Sequence, residues 1–322
     1  MDLWVGKCDD RPRVIRDRSR GDAPAHRCPV ALRPFPPHLS LSSGQILAWA
    51  EYGDPGGTPV LYHHGWPGSR LEARLAHGTA LALGLRIIAP DRPGYGASTQ
   101  TASRTLADWS SDAEALVNHL GIDSFAVIGI SGGAPYALAC AAALPARVTQ
   151  VCLVSPMGPV DDDAALRDFD PLRRASLRLA ARRSPLMYGL LRRAVGPLIA
   201  LNADRFVAAL AKSCGPVDRA TLERAEVQAE IAASFREGLR RSAAGAARDL
   251  ELYAAPWSIA LARIRAPIDL WHGDADGIIP IWLARRLATQ LPTATTRFLP
   301  GEGHYSLPLG HLDTILREIA LP

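Results

Sequence analysis

The sequence predicts an α/β fold, a doubly wound and mostly parallel sheet with an inserted helical cap, and three observations carry that reading. Short apolar runs alternate with helical stretches of roughly 10 to 16 residues from position 38 to about 156, as successive βα units require. The alternation resumes near residue 263. Between the two stretches, residues 157–262 have another texture, rich in Ala, Leu and Arg with helical spacing and few β-type runs. At 322 residues the chain can bury a large core, so one core domain (38–156 and 263–322), a cap (157–262) and a leader (1–37) are expected.

The leader holds eight Lys/Arg, five Asp and six Pro, which accounts for three of the four net positive charges. That composition predicts a poorly ordered segment. It lacks the apolar stretch of a secretory signal, and its acids do not suit a transit peptide.

The first informative strand is Pro59-Val60-Leu61-Tyr62, running into His63-His64-Gly65-Trp66-Pro67-Gly68-Ser69-Arg70. Its Gly/Pro turn can aim the Trp66 backbone N–H at a point above a neighbouring strand end. A second strand, Arg86–Pro90, ends in Asp91-Arg92-Pro93-Gly94-Tyr95-Gly96, where Asp91 and Arg92 are expected to fix the loop. His63 and His64 stand behind the first turn as supporting residues.

The third strand, Phe125–Ile130, breaks at Ser131-Gly132-Gly133 and continues as the Ala-rich helix that starts at Ala134-Pro135. A serine on so sharp a strand-to-helix turn needs neighbours without bulky side chains, which Gly129 and Gly133 supply. Gly132 leaves the next amide unobstructed at a helix start, where a developing oxyanion is favoured.

A serine hydroxyl attacks a carbonyl only when a base takes its proton and a carboxylate orients that base. After the strand Pro267–Gly273 come Asp274, Asp276 and Pro280, and after Arg297–Leu299 comes Gly301-Glu302-Gly303-His304. His304 is the candidate base and Asp276 the candidate orienter. Asp274 is a rival acid; Asp161, Asp162 and Asp163, after Gln150–Val154, are others. His272 and His311 read as loop or capping residues.

With the segments in the order Ser, Asp, His, the chain resembles the α/β-hydrolase superfamily from about residue 38 onward. The resemblance implies Ser131 as nucleophile, His304 as base and Asp276 as acid, the last because the family acid stands four residues before the proline, here Pro280. It also implies an oxyanion hole from the Trp66 and Gly132 amides, and a cis Trp66–Pro67 bond. No cofactor and no metal would be required.

The expected activity is cleavage of an ester or related carbonyl compound through an acyl-enzyme. Carbon–carbon bond hydrolysis, perhydrolysis and release of N-terminal proline use the same residues, and a hydrolase-fold sensor of small molecules is the alternative outside catalysis. Trp at 66 and Gly at 132 depart from the proline-releasing pattern.

The cap, in which Asp170-Pro171 marks a helix start, would overhang Ser131 and shape the pocket. Phe169, Met187, Tyr188, Phe206, Phe235 and Tyr253 are candidates to line it, two or three of them in fact. Arg173, Arg174, Arg182, Arg183, Arg192 and Arg193 read as a solvated surface.

The expected partner is a small-molecule substrate. The near-neutral body lacks the basic stripe of a nucleic-acid binder, and no run reaches the length of a membrane span. Five scattered cysteines suit a reducing cytoplasm. Oligomeric state is not encoded in any pattern we identify.

Overall fold

A computed structural model describes residues 35–101 and 103–320. Of the expected leader, residues 1–34 lie outside the described residues.

Eight strands form one sheet: β1 (His38–Ser40), β2 (Ile46–Gly53), β3 (Thr58–His63), β4 (Leu85–Pro90), β5 (Phe125–Ile130), β6 (Val148–Val154), β7 (Ile268–Gly273) and β8 (Ala294–Leu299). Their spatial order is β1-β2-β4-β3-β5-β6-β7-β8. β1 pairs antiparallel with β2, and β2 with β4; every other pairing is parallel. This is the expected fold class.

The central strands are apolar almost throughout because both sheet faces are covered. Successive residues go to opposite faces: Leu61, Ile88 and Val127 join a core with Trp109, Leu116 and Leu138, while Val60, Ile87, Ala126 and Ile128 join Ile315, Leu316 and Ile319 on the other side. A one-residue register slip in any of these strands would exchange the two sets.

Between β6 and β7 the chain is helical from Asp163 to Tyr253, in several short helices. Asp170 accepts from the N–H groups of Leu172 and Arg173 with Pro171 at the first helical position, so this helix begins where the sequence placed it. Val207, Leu222, Ile231 and Phe235 form a separate apolar cluster within the insertion. Among the described residues no single helix is long and apolar enough to cross a membrane.

The insertion is fastened to the sheet domain by a buried charge. Arg92 and Asp249 pair at 2.8 Å with both side chains almost fully enclosed. Asp249 Oδ2 also accepts from the Tyr95 hydroxyl at 2.7 Å, and its Oδ1 from Tyr136. Asp91 plays a local part, accepting from the N–H groups of Arg70 and Ala97 and pairing with the Arg70 guanidinium.

Candidate active site

β5 ends at Ile130, and the next residue, Ser131, has φ 51°, a left-handed conformation that costs a non-glycine residue of order 1–3 kcal/mol. A helical turn over Ser131–Gly133 leads directly into the helix Ala134–Ala143. The glycines are required by contact. A Cβ on Gly129 would stand 2.6 Å from Ala134 Cα, and one on Gly133 would overlap the His63 carbonyl oxygen. Gly132 has a reason the sequence did not reveal: a side chain there would overlap the Tyr253 hydroxyl.

His304 follows β8 on a loop that returns its imidazole to the elbow. Its Nε2 lies 3.0 Å from Ser131 Oγ. Its Nδ1 lies 2.7 Å from Asp276 Oδ2, the geometry in which Nδ1–H donates to the carboxylate and the serine hydroxyl donates to Nε2. Asp276 Oδ1 accepts from the N–H groups of Ile278 and Ile279, each at 2.8 Å, so the carboxylate is held from both sides. His272 Nε2 is hydrogen-bonded at 2.9 Å to the Ile279 carbonyl and lies 3.5 Å from Asp276 Oδ2, bracing the same turn.

The electrostatics follow from these contacts. Burial raises the Asp276 carboxyl, but the neighbouring His304, His272 and Ile279 N–H more than reverse that, leaving it below its usual range. Burial lowers the His304 imidazole, and Asp276, with a smaller contribution from Asp218, lifts it above the ordinary histidine value. His63, which bridges the Ile128 carbonyl and the Trp109 indole, is pushed down to about 3 by burial and stays neutral.

The rival acids are engaged elsewhere. Asp274 Oδ1 accepts from Gly301 N–H at 2.7 Å, fixing the base loop rather than the imidazole. Asp162 caps a helix and, with Asp161, faces Arg286, while Asp163 faces Arg178. His311 bonds Glu302.

On the oxyanion side, the Trp66–Pro67 peptide is cis, as the turn led us to expect. The Trp66 indole donates to the Ala246 carbonyl of the insertion at 2.9 Å. Gly65 stands between this turn and the nucleophile: a Cβ there would lie 3.6 Å from Ser131 Cβ.

Ser131 and His304 open onto a cleft of about 790 Å³, mouth included. Its wall combines Tyr62, Ile128 and Val154 of the sheet, Ile231 and Phe235 of the insertion, and Ile315 and Leu316 of the last helix. Of the six aromatic and methionine residues expected there, only Phe235 lines it. Phe169, Met187 and Tyr253 are instead buried in the main core, because an apolar side chain at helical spacing serves helix packing first. Phe206 packs against Phe235 from behind, at 6.0 Å between rings, and Tyr188 lies half-buried off the wall.

Three functional neighbours were not foreseen. Glu72 projects into the cleft wall, Asp218 holds the loop of His304, and Asp249 gathers Arg92 and three tyrosines. Each is an acid in a helical stretch, and only its distant partners mark it as special.

The family model of the alpha/beta hydrolase fold matches residues 58–310. The chain belongs to the alpha/beta hydrolase fold family. It is 29% identical over 290 residues to a non-heme chloroperoxidase of Streptomyces lividans, an alignment covering 86% of this chain and 94% of that protein. It is also 31% identical over 250 residues to the pimeloyl-[acyl-carrier protein] methyl ester esterase of Aromatoleum aromaticum, covering 75% and 88%. Among solved structures, an esterase from Thermogutta terrifontis superposes with a TM-score of 0.63 at 22% identity, over 87% of this chain and 96% of the other. At that identity the superposition speaks for the fold alone.

Proposed function

We propose that this family member is a serine hydrolase that cleaves a carboxylic ester through an acyl-enzyme. The observation that carries the reading is the chain of contacts from Ser131 Oγ through His304 to Asp276, 3.0 and 2.7 Å long. Ser131 attacks the carbonyl carbon as His304 Nε2 accepts its proton. The Trp66 and Gly132 amides receive the negative charge on the carbonyl oxygen. His304 then returns the proton to the departing alkoxide, the acyl group stays on Ser131, and a water activated by the same imidazole releases the acid. Asp276 stabilises the imidazolium formed in each step.

The apolar wall suits an acyl chain, and the inserted helices act as its lid. The esterase relative supports the same chemistry. A second outcome for the same intermediate is attack by hydrogen peroxide instead of water, which gives a peracid.

Labelling with a fluorophosphonate, followed by peptide mapping, tests the nucleophile. An adduct on Ser131 together with turnover of short p-nitrophenyl esters is expected, and both are expected to vanish in Ser131→Ala. A parent protein that binds small esters without labelling or turnover would instead be a sensor.

A further inference from the structure

The cleft beside Ser131 contains one carboxyl. Glu72 is buried, and its surroundings differ from those of the other enclosed acids. Asp91 pairs with Arg70, Asp249 with Arg92, and Asp276 with His304. Among the described residues Glu72 has no cation within ion-pair distance. Its Oε1 accepts from the Tyr62 hydroxyl at 3.0 Å and from the Gly65 N–H at 2.9 Å, whereas Oε2 has only the same Gly65 N–H, at 3.1 Å. One donor is thus shared between two oxygens, and Oε2 is short of partners among the described residues.

A buried carboxyl with unfilled acceptor capacity is costly unless something else supplies a donor. Its position says what could do so. A single Cβ placed on Gly65 would touch both Glu72 Oε2, at 3.3 Å, and Ser131 Cβ, at 3.6 Å, so the carboxyl and the nucleophile border one atom position. Apart from the serine, the histidine and the tyrosine hydroxyls, the wall around Glu72 is apolar. One polar anchor in an apolar pocket sets the orientation and selection of a ligand.

We propose that Glu72 selects substrates whose acyl group carries a hydrogen-bond donor, a hydroxyl or an ammonium, within a few bonds of the reacting carbonyl. The acyl side is chosen because the wall residues Tyr62, Val154, Ile315 and Leu316 belong to the buried apolar core on this face of the sheet, which suits the group retained on the serine. Burial pushes the Glu72 carboxyl up, and the Gly65 N–H and Tyr62 hydroxyl only partly offset this. A hydroxyl can pair with either protonation state; an ammonium would pair with the ionised one. The proposal rests on Ser131 being the nucleophile.

The test compares kcat/KM for ethyl butanoate, ethyl 3-hydroxybutanoate and ethyl 3-aminobutanoate in the parent, Glu72→Gln and Glu72→Leu proteins. The parent is expected to favour at least one donor-bearing ester over butanoate by about tenfold or more. Glu72→Gln, which keeps a carbonyl acceptor, retains a hydroxyl preference and loses an ammonium preference; Glu72→Leu loses both. Ratios between substrates within one variant do not move with a general loss of folded protein. Equal rates in the parent, or a preference that survives Glu72→Leu, would overturn the proposal. If fluorophosphonate labels Ser131 and butanoate turns over while the ratios stay flat, only the role of Glu72 falls; if neither occurs, the hydrolase reading falls and takes this proposal with it.

Discussion

Asp218, on the helix Pro216–Leu222 of the insertion, accepts a hydrogen bond from the backbone N–H of His304 at 2.9 Å. The same carboxylate takes the N–H groups of Tyr305, at 2.7 Å, and Ser306, at 2.9 Å. Three consecutive amides of the base loop therefore converge on one residue of the inserted helices. Gly303 is part of the device, because any side chain at 303 would overlap the Asp218 carboxylate. The insertion thereby helps to aim the imidazole at Ser131.

Asp218→Ala leaves those amides without their acceptor, at a cost of about 1–3 kcal/mol for each group that finds no replacement. We expect kcat to fall by roughly tenfold or more, with Asp218→Asn in between because it keeps one carbonyl oxygen. The acid limb of the rate profile should also move down, since Asp218 contributes to raising His304. Unchanged kcat and pH profile in a stably folded Asp218→Ala protein would remove Asp218 from the positioning of the base.

Ser131 and His304 act on one proton. Removing either should cost roughly 10³-fold or more in kcat, and removing both should cost little beyond the worse single change. Burst and steady-state kinetics on a p-nitrophenyl ester measure this. Losses that multiply in the double variant would mean that the two residues serve separate steps.

The pH dependence has a definite sign. His304 must be neutral to accept the proton, so activity disappears as pH falls through its value in the folded protein. Because Asp276 holds that value above the ordinary one, the acid limb of kcat/KM should lie above the range of a free histidine. Asp276→Asn removes the lifting charge and leaves burial, which lowers the value. The limb should shift to lower pH while kcat drops, and a limb that stays in place would assign the titration to another group.

The elbow was legible because its constraints are local: Gly129, Ser131 and Gly133 are fixed by a turn of a few residues. The order of Ser131, Asp276 and His304 was legible because each follows a recognisable strand. Asp218 and Glu72 were not, since nothing adjacent in the chain separates either buried acid from the solvated acids of the other helices. The pocket was misjudged for a related reason. Tyr62, Ile315 and Leu316 show the spacing of ordinary core residues, and only the packing of the last helix against the sheet makes them wall, while Phe169 and Tyr253, aromatic residues of the insertion that stood out, were needed inside the main core.

The pair Arg92–Asp249 gives the last expectation. Arg92 is fully enclosed, with its guanidinium 4.9 and 4.7 Å from the ring centres of Tyr95 and Tyr136. Asp249→Ala would strand that charge, and breaking a buried pair from one side costs about 3–5 kcal/mol. Replacing both partners, as Arg92→Met with Asp249→Ala, removes the charge problem and should cost clearly less than the two single changes together. Activity should respond differently. The Tyr253 hydroxyl lies 3.0 Å from Asp249 Oδ2 and 2.8 Å from the Gly132 carbonyl, so loss of Asp249 loosens the Gly132–Gly133 peptide of the elbow even where stability is recovered. Urea unfolding of the four proteins of the cycle, with kcat measured on each, separates the two effects. A single Asp249→Ala change that costs under about 1 kcal/mol would show that the tyrosines and apolar contacts, rather than the ion pair, fasten the insertion to the sheet.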